Sequence, residues 1–239
     1  MTEVDDEKVF PLRIHIPRAN IVKSERPNTA TLILFHGSGG NGEDFKQWLD
    51  ILNRKELRFP HIKIIYPTAP IQTYTANGGL PSNIWFDRRN VSIDAPELKH
   101  SIDIMCNKAS ELIHREIAGG IPPSRIIIGG FSMGGCLALH LAYRFKRGLG
   151  GCVAISSFLS EKSLVYESLK FDSSTKYPEL LMLHGIEDNV VPLQWGESTF
   201  NKLQTLGVKG RMLAINSASH DIDETNLKYF KSWVKDKLR

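Results

Sequence analysis

The sequence predicts an α/β fold in which a mostly parallel central sheet is covered by helices on both faces. Three observations lead there. Short apolar runs alternate with stretches of helical periodicity, which is the pattern of strands joined by crossover helices. Several of the runs are continuously apolar, as strands buried on both faces must be. The 239 residues contain no internal repeat, low-complexity tract or linker-like compositional break, so one domain spanning 1–239 is expected.

In chain order, Val9 to Ile16 alternates apolar and polar residues like a half-exposed edge strand, whereas Ala30 to His36 and His61 to Tyr66 read as buried strands. Thr68 to Asp94 has no period: Pro70, Pro81, Gly78, Gly79 and Asn83 interrupt it, yet it carries Trp85 and Phe86. An irregular stretch of this length inside a compact domain is expected to wall or cover a pocket. Ile102, Met105, Ala109, Leu112, Ile113 and Ile117 then share one helical face, with Ser101 and Asp103 as capping candidates. Strand Arg125 to Gly129 and a helix through Cys136 to Tyr143 follow, then strands Gly151 to Ser156 and Glu179 to His184. A helix from Trp195 to Leu206 stops at Gly207, strand Arg211 to Ile215 comes next, and an amphipathic helix from Glu224 to Lys237 closes the chain.

Composition excludes several classes of function. Thirty Lys and Arg against 26 Asp and Glu give a net charge of +4, with both signs mixed along the chain, too mild a bias for nucleic-acid binding. The acidic start Met1-Thr2-Glu3-Val4-Asp5-Asp6-Glu7 is neither a secretory signal nor a transit peptide, and no apolar run approaches the ~20 residues that span a bilayer. Thr2 and the terminal Asp236-Lys237-Leu238-Arg239 match neither myristoylation nor prenylation, so a soluble, cytoplasmic protein is expected, with at most transient contact with a membrane surface. Cys106, Cys136 and Cys152 are isolated and apolar-flanked, which suits reduced core thiols better than disulfides or a metal site.

The motif richest in chemistry is Gly130-Phe131-Ser132-Met133-Gly134, set between an apolar strand and an apolar helix. By itself G-x-S-x-G arises by chance in about one chain of this length in ten. Its strand–turn–helix context makes it specific, because glycines let strand and helix approach closely enough to lift a serine hydroxyl clear of the sheet. A serine nucleophile also needs a base, a group that orients the base, and donors for the oxyanion. Asp188, in the loop after Glu179 to His184, is the acid candidate, with Glu187 as its competitor. His220, in the polar loop before the last helix, is the base candidate, and it completes the order serine, acid, histidine that α/β-hydrolases share. His140 and His184 read as packing or hydrogen-bonding residues, while His15, His61, His100 and His114 have no catalytic context. Phe35-His36-Gly37-Ser38-Gly39-Gly40 follows an early strand as an oxyanion loop does, so the backbone N–H groups of Ser38 and Met133 form the expected donor pair, with His36 bracing the loop. Neither phosphate-binding glycine pattern is satisfied there.

With these residues in place, the chain resembles the acyl-protein thioesterase and lysophospholipase family of α/β-hydrolases, closest to its lysophospholipase-like branch. The resemblance runs through Leu34-Phe35-His36-Gly37-Ser38-Gly39, Ile64 to Pro70, Asn83-Ile84-Trp85-Phe86-Asp87, Gly129 to Gly135, and His184-Gly185 with Asp188. It implies a triad of Ser132, Asp188 and His220, oxyanion donors at Ser38 and Met133, and no cofactor or metal. The activity it implies is hydrolysis of an S-acylated protein or small ester, by a monomer or weak homodimer. A palmitoyl-protein thioesterase, a short-chain carboxylesterase and a lysophospholipase would all share this chemistry, and a non-catalytic scaffold retaining the fold is the alternative from another class. Leu80, Trp85 and Phe86 are the expected pocket residues. The chain departs from typical relatives at Met133, where they carry glutamine, at Ser38, where they carry leucine, and at Thr2, where many carry cysteine. Backbone donors survive the first two changes, but the shape of the acyl site need not.

Overall fold

A computed structural model describes residues 16–171, 176–216 and 218–239. Nine strands and six helices alternate through β1 (Arg18–Val22), β2 (Ala30–Phe35), α1 (Gly42–Leu52), β3 (Ile62–Thr68), β4 (Ile71–Tyr74), β5 (Leu80–Asn83), α2 (Lys99–Ala118), β6 (Ile126–Phe131), α3 (Met133–His140), β7 (Gly151–Ile155), α4 (Leu164–Lys170), β8 (Glu179–Gly185), α5 (Leu193–Thr205), β9 (Gly210–Ile215) and α6 (Glu224–Lys237), counted among the described residues. Seven strands form one sheet in the order β1-β3-β2-β6-β7-β8-β9. All pairings are parallel except β1 with β3. This is the α/β-hydrolase architecture.

Period-two alternation along the central strands sorts side chains into two cores. On one face Ile33 and Phe35 of β2, Ile126 and Ile128 of β6, and Leu180 and Met182 of β8 pack with Met105, Ala109 and Ile113 of α2 and with the apolar residues of α3. On the other, Leu32, Leu34, Ile127, Leu181 and Leu183 meet Phe45 and Leu49 of α1 and Leu227, Phe230, Trp233 and Val234 of α6. Asn41 and Asp223 cap α1 and α6 by accepting from Asp44 N and Asn226 N. No helix among the described residues is long and apolar enough to cross a membrane.

Several elements differ from expectation. The strand read at Val9 to Ile16 falls outside the described residues except for Ile16, which precedes β1. Ser101 and Asp103 do not cap α2: it begins at Lys99 without a side-chain cap. The Ser101 hydroxyl instead accepts from Asp87 N at 2.8 Å, and Asp103 pairs with Arg144 at 2.7 Å. The irregular stretch from Thr68 contains a separate hairpin, β4 paired antiparallel with β5. α4, with seven residues, has too few turns for a legible period, whereas α1 places Phe45, Trp48, Leu49 and Leu52 on one helical face.

The winding of the sheet decides where chemistry can occur. From β2 the chain passes to β3 on one side and later to β6 on the other, so the loops after β2 and β6 diverge at the carboxyl edge and leave a crevice. Gly37-Ser38 follows β2 and Ser132 follows β6.

Candidate active site

Ser132 links β6 directly to α3 with φ 52° and ψ −119°, a conformation rarely tolerated by a residue with a side chain. Its neighbours must be glycine for steric reasons. A Cβ on Gly130 would lie 2.4 Å from the Gly134 carbonyl carbon, and one on Gly134 would lie 2.1 Å from the Phe35 carbonyl oxygen. Hydrogen bonds clamp the turn: Ser132 N donates to Ile155 O at 2.8 Å, and Ser132 O accepts from Ser157 Oγ at 2.8 Å and from Cys136 N at 3.1 Å.

His220 reaches this serine from the loop between β9 and α6. Its Nε2 is 3.1 Å from Ser132 Oγ, while its Nδ1 lies 2.9 Å from Asp188 Oδ2 and 3.1 Å from Oδ1. The imidazole packs on the Phe131 ring at 4.9 Å. Asp188 is buried in the loop after β8, and its Oδ1 accepts from Val190 N at 3.0 Å and Val191 N at 2.8 Å, which fixes the carboxylate plane. Glu187 is exposed and does not occupy that position. His184 props the same loop: its Nε2 donates to Val191 O at 2.8 Å, and burial lowers its pKa, consistent with a neutral ring. Part of the loop carrying His220, Ser217, lies outside the described residues.

The loop after β2 is held as firmly. The His36 Nε2 accepts from Ala69 N at 2.9 Å, so its Nδ1 carries the proton and donates to Gly37 O at 2.6 Å. Burial holds the His36 pKa down to about 4, so the ring is a neutral strut near neutral pH. Trp85 Nε1 donates to His36 O at 2.8 Å and Gly39 N donates to Asn83 O at 2.8 Å. Met133 opens α3, where first-turn N–H groups have no partner within the helix. Ser38 and Met133 flank Ser132 in the lining of a cavity of about 190 Å³, whose wall also includes His220, Tyr74, Arg88, Phe131, Phe158 and Val191. Among the described residues no group of three or more His, Cys, Asp or Glu is placed to hold a metal ion.

The sequence profile described as Phospholipase/Carboxylesterase matches residues 16–238. The chain belongs to the phospholipase/carboxylesterase family. It is 43% identical over 228 residues to lysophospholipase-like protein 1 of Mus musculus, covering 95% of each chain. It is 34% identical to acyl-protein thioesterase 1 homolog 1 of Dictyostelium discoideum, covering 84% of this chain and 87% of that one. The crystal structure of acyl-protein thioesterase 2 of Zea mays superposes with a TM-score of 0.79 at 26% identity, over 93% of this chain and 99% of that one.

In this family member the pocket residues expected from sequence need correction. Leu80 is 60% exposed on the hairpin, Trp85 is fully buried against Phe35, and Phe86 is packed between Arg88 and His140. None of the three lines the cavity at Ser132: the Trp85 and Phe86 rings are drawn into the core, and Leu80 stands out on the hairpin. The 68–94 segment does supply cavity wall, through Tyr74, Arg88 and Val91. Phe158, Val190 and Val191 were also missed. Val190 and Val191 follow Asp188 directly, a proximity that could have flagged them; Phe158 carries no local signal.

Proposed function

We propose that this phospholipase/carboxylesterase family member is a serine hydrolase that cleaves thioesters, including those of S-acylated proteins, and carboxylic esters through an acyl-enzyme on Ser132. The observation that carries the reading is the continuous line from Asp188 through His220 to Ser132, with contacts of 2.9 and 3.1 Å, opening onto a cavity. His220 Nε2 takes the Ser132 Oγ proton as the oxygen attacks the carbonyl carbon, and Asp188 orients the ring and stabilises the imidazolium. The negative oxygen of the tetrahedral intermediate rests on the N–H groups of Ser38 and Met133, the latter at a helix N-terminus whose dipole favours the charge. Collapse expels the thiol or alcohol, which receives the proton from His220. Water then gives a proton to His220, attacks the acyl carbon, and releases acid and free serine. The names of the Dictyostelium and maize relatives support the thioester reading.

A short-chain carboxylesterase is the second reading, favoured by a cavity of only about 190 Å³. Assays with acyl thioesters and p-nitrophenyl esters of graded length test both. Ser132→Ala is expected to lower kcat on the order of 10⁶-fold and to abolish fluorophosphonate labelling; retained turnover removes the hydrolase. If each added methylene contributes roughly 0.8 kcal/mol, kcat/KM climbs steadily to about sixteen carbons for a palmitoyl thioesterase, whereas a maximum at short acyl groups selects the second reading.

A further inference from the structure

The cavity beside Ser132 holds a cation that the hydrolytic chemistry does not use. Among the described residues that line it, Arg88 is the sole Lys or Arg, and none is Asp or Glu. Its guanidinium carbon lies 5.1 Å from the centroid of the Phe86 ring and 5.5 Å from that of Phe158. These aromatic contacts hold the group between Phe158, which lines the cavity, and Phe86, which does not; both rings and Arg88 also line a neighbouring recess with Asp87 and Glu97.

The backbone beneath it is pinned from both sides. Asp87 Oδ1 accepts from Arg88 N at 2.9 Å and from Thr75 N at 2.8 Å, Asp87 Oδ2 accepts from Thr75 Oγ1 at 2.6 Å, and Asp87 N donates to Ser101 Oγ at 2.8 Å. The carboxylate closest in sequence is therefore engaged by two backbone N–H groups and the Thr75 hydroxyl. Among the described residues no carboxylate forms an ion pair with the Arg88 guanidinium, and none of its N–H donors meets a protein acceptor. A guanidinium stays charged throughout the working pH range and presents five donors in a fork matched to carboxylate and phosphate oxygens. Such a group, positioned in advance and left without an anionic partner at the reaction cavity, is arranged for an anion that arrives with the substrate.

We infer that Arg88 is a specificity-determining residue that selects esters or thioesters bearing a carboxylate or phosphate close to the scissile carbonyl. The inference rests on the serine-hydrolase reading and narrows its substrate class. The anion can belong to the acyl group, as in a half-ester of a short dicarboxylic acid, or to the leaving alcohol, as in a glycerol phosphate ester. In either case it balances the Arg88 charge while Ser132 attacks the neighbouring carbonyl.

Two substrate pairs matched in carbon skeleton read the charge from either side: p-nitrophenyl hydrogen succinate against p-nitrophenyl butyrate, and butyrylglycerol phosphate against butyrylglycerol. In at least one pair the charged member is expected to have the higher kcat/KM by about tenfold or more, the scale of one charge-assisted contact. Arg88→Met, which keeps length and bulk but removes the charge, is expected to bring that ratio to near one, and Arg88→Lys to retain part of it. Ratios near one in both pairs, or a ratio that survives Arg88→Met, overturn the inference. Calorimetric titration with glutarate gives a readout independent of turnover, with affinity falling about tenfold or more in Arg88→Met. Should no ester be hydrolysed, the hydrolase reading fails and glutarate alone decides on Arg88: Arg88-dependent binding supports an anion site, and absent or unaltered binding removes it.

Discussion

Ser132 pays for its exposure with backbone strain, on the order of 1–3 kcal/mol for a non-glycine residue in so sparsely populated a conformation. That strain is held by atoms with no freedom to relax: the Ile155 carbonyl on one side, Ser157 Oγ and the first turn of α3 on the other. Gly134 has little slack against the backbone of β2, because an added Cβ would meet the Phe35 oxygen at 2.1 Å and the His36 oxygen at 2.5 Å. Gly134→Ala must therefore push α3 away from β2, displacing Ser132 and Met133 from Ser38 together. A shift of ~1 Å is expected to cost about 10²-fold in kcat, measured with p-nitrophenyl butyrate. Turnover equal to that of the intact chain would mean that the turn yields without disturbing the donors.

Glu97 ties three elements together. It lies just before α2, its Oε1 is 3.2 Å from His140 Nε2 at the end of α3, and its Oε2 accepts from Leu164 N at the start of α4 at 2.9 Å. Burial opposes charge on both partners, raising the pKa of one and lowering that of the other, but their mutual attraction prevails. Glu97 is held down to about 2 and His140 up to about 9. Glu97→Ala removes the ion-pair partner of the buried imidazole and leaves the α4 amide without an acceptor, and a loss of about 3 kcal/mol is expected in urea unfolding. A loss below about 0.5 kcal/mol would show that the pair is replaceable by water. The long helices α2 and α6 were legible in the sequence because their buried residues recur over many turns. The β4–β5 hairpin was not: each strand has four residues, and Pro81 stands inside one of them.

Stability against pH sums such groups over the chain. His36 has its pKa held at about 4 by burial, against an ordinary 6.5, so the unfolded chain binds a proton that the fold refuses. Its contribution is complete above 6.5 and is lost as pH falls from 6.5 toward 4, a loss on the order of 3 kcal/mol at ~1.4 kcal/mol per unit. Glu97, held at about 2 against 4.5, adds to the loss below 4.5. His140 acts in the opposite sense: raised to about 9, it contributes fully below 6.5 and is lost as pH rises from there through 9. The urea midpoint is expected to peak between these limbs and decline on both sides. A midpoint independent of pH from about 4 to 9 would contradict both the burial of His36 and the pairing of His140 with Glu97.

The division of labour between chain order and packing follows from the range of the forces. Strand and helix periodicity, the glycine-flanked serine and the order serine, acid, histidine are local or ordinal properties, so residue types alone were enough to place Ser132, Asp188 and His220 in loops that a parallel sheet collects at one edge. Which side chains wall the cavity depends on long-range packing. Trp85 and Phe86, two large aromatic side chains, were drawn into the core because burying aromatic surface is most favourable there, while Arg88, next to Asp87 and ordinary in sequence, was left half-buried between two rings in the cavity lining. Hydrophobic burial is indifferent to direction along the chain, so only the assembled sheet could determine which neighbours of the nucleophile face the core and which face the substrate.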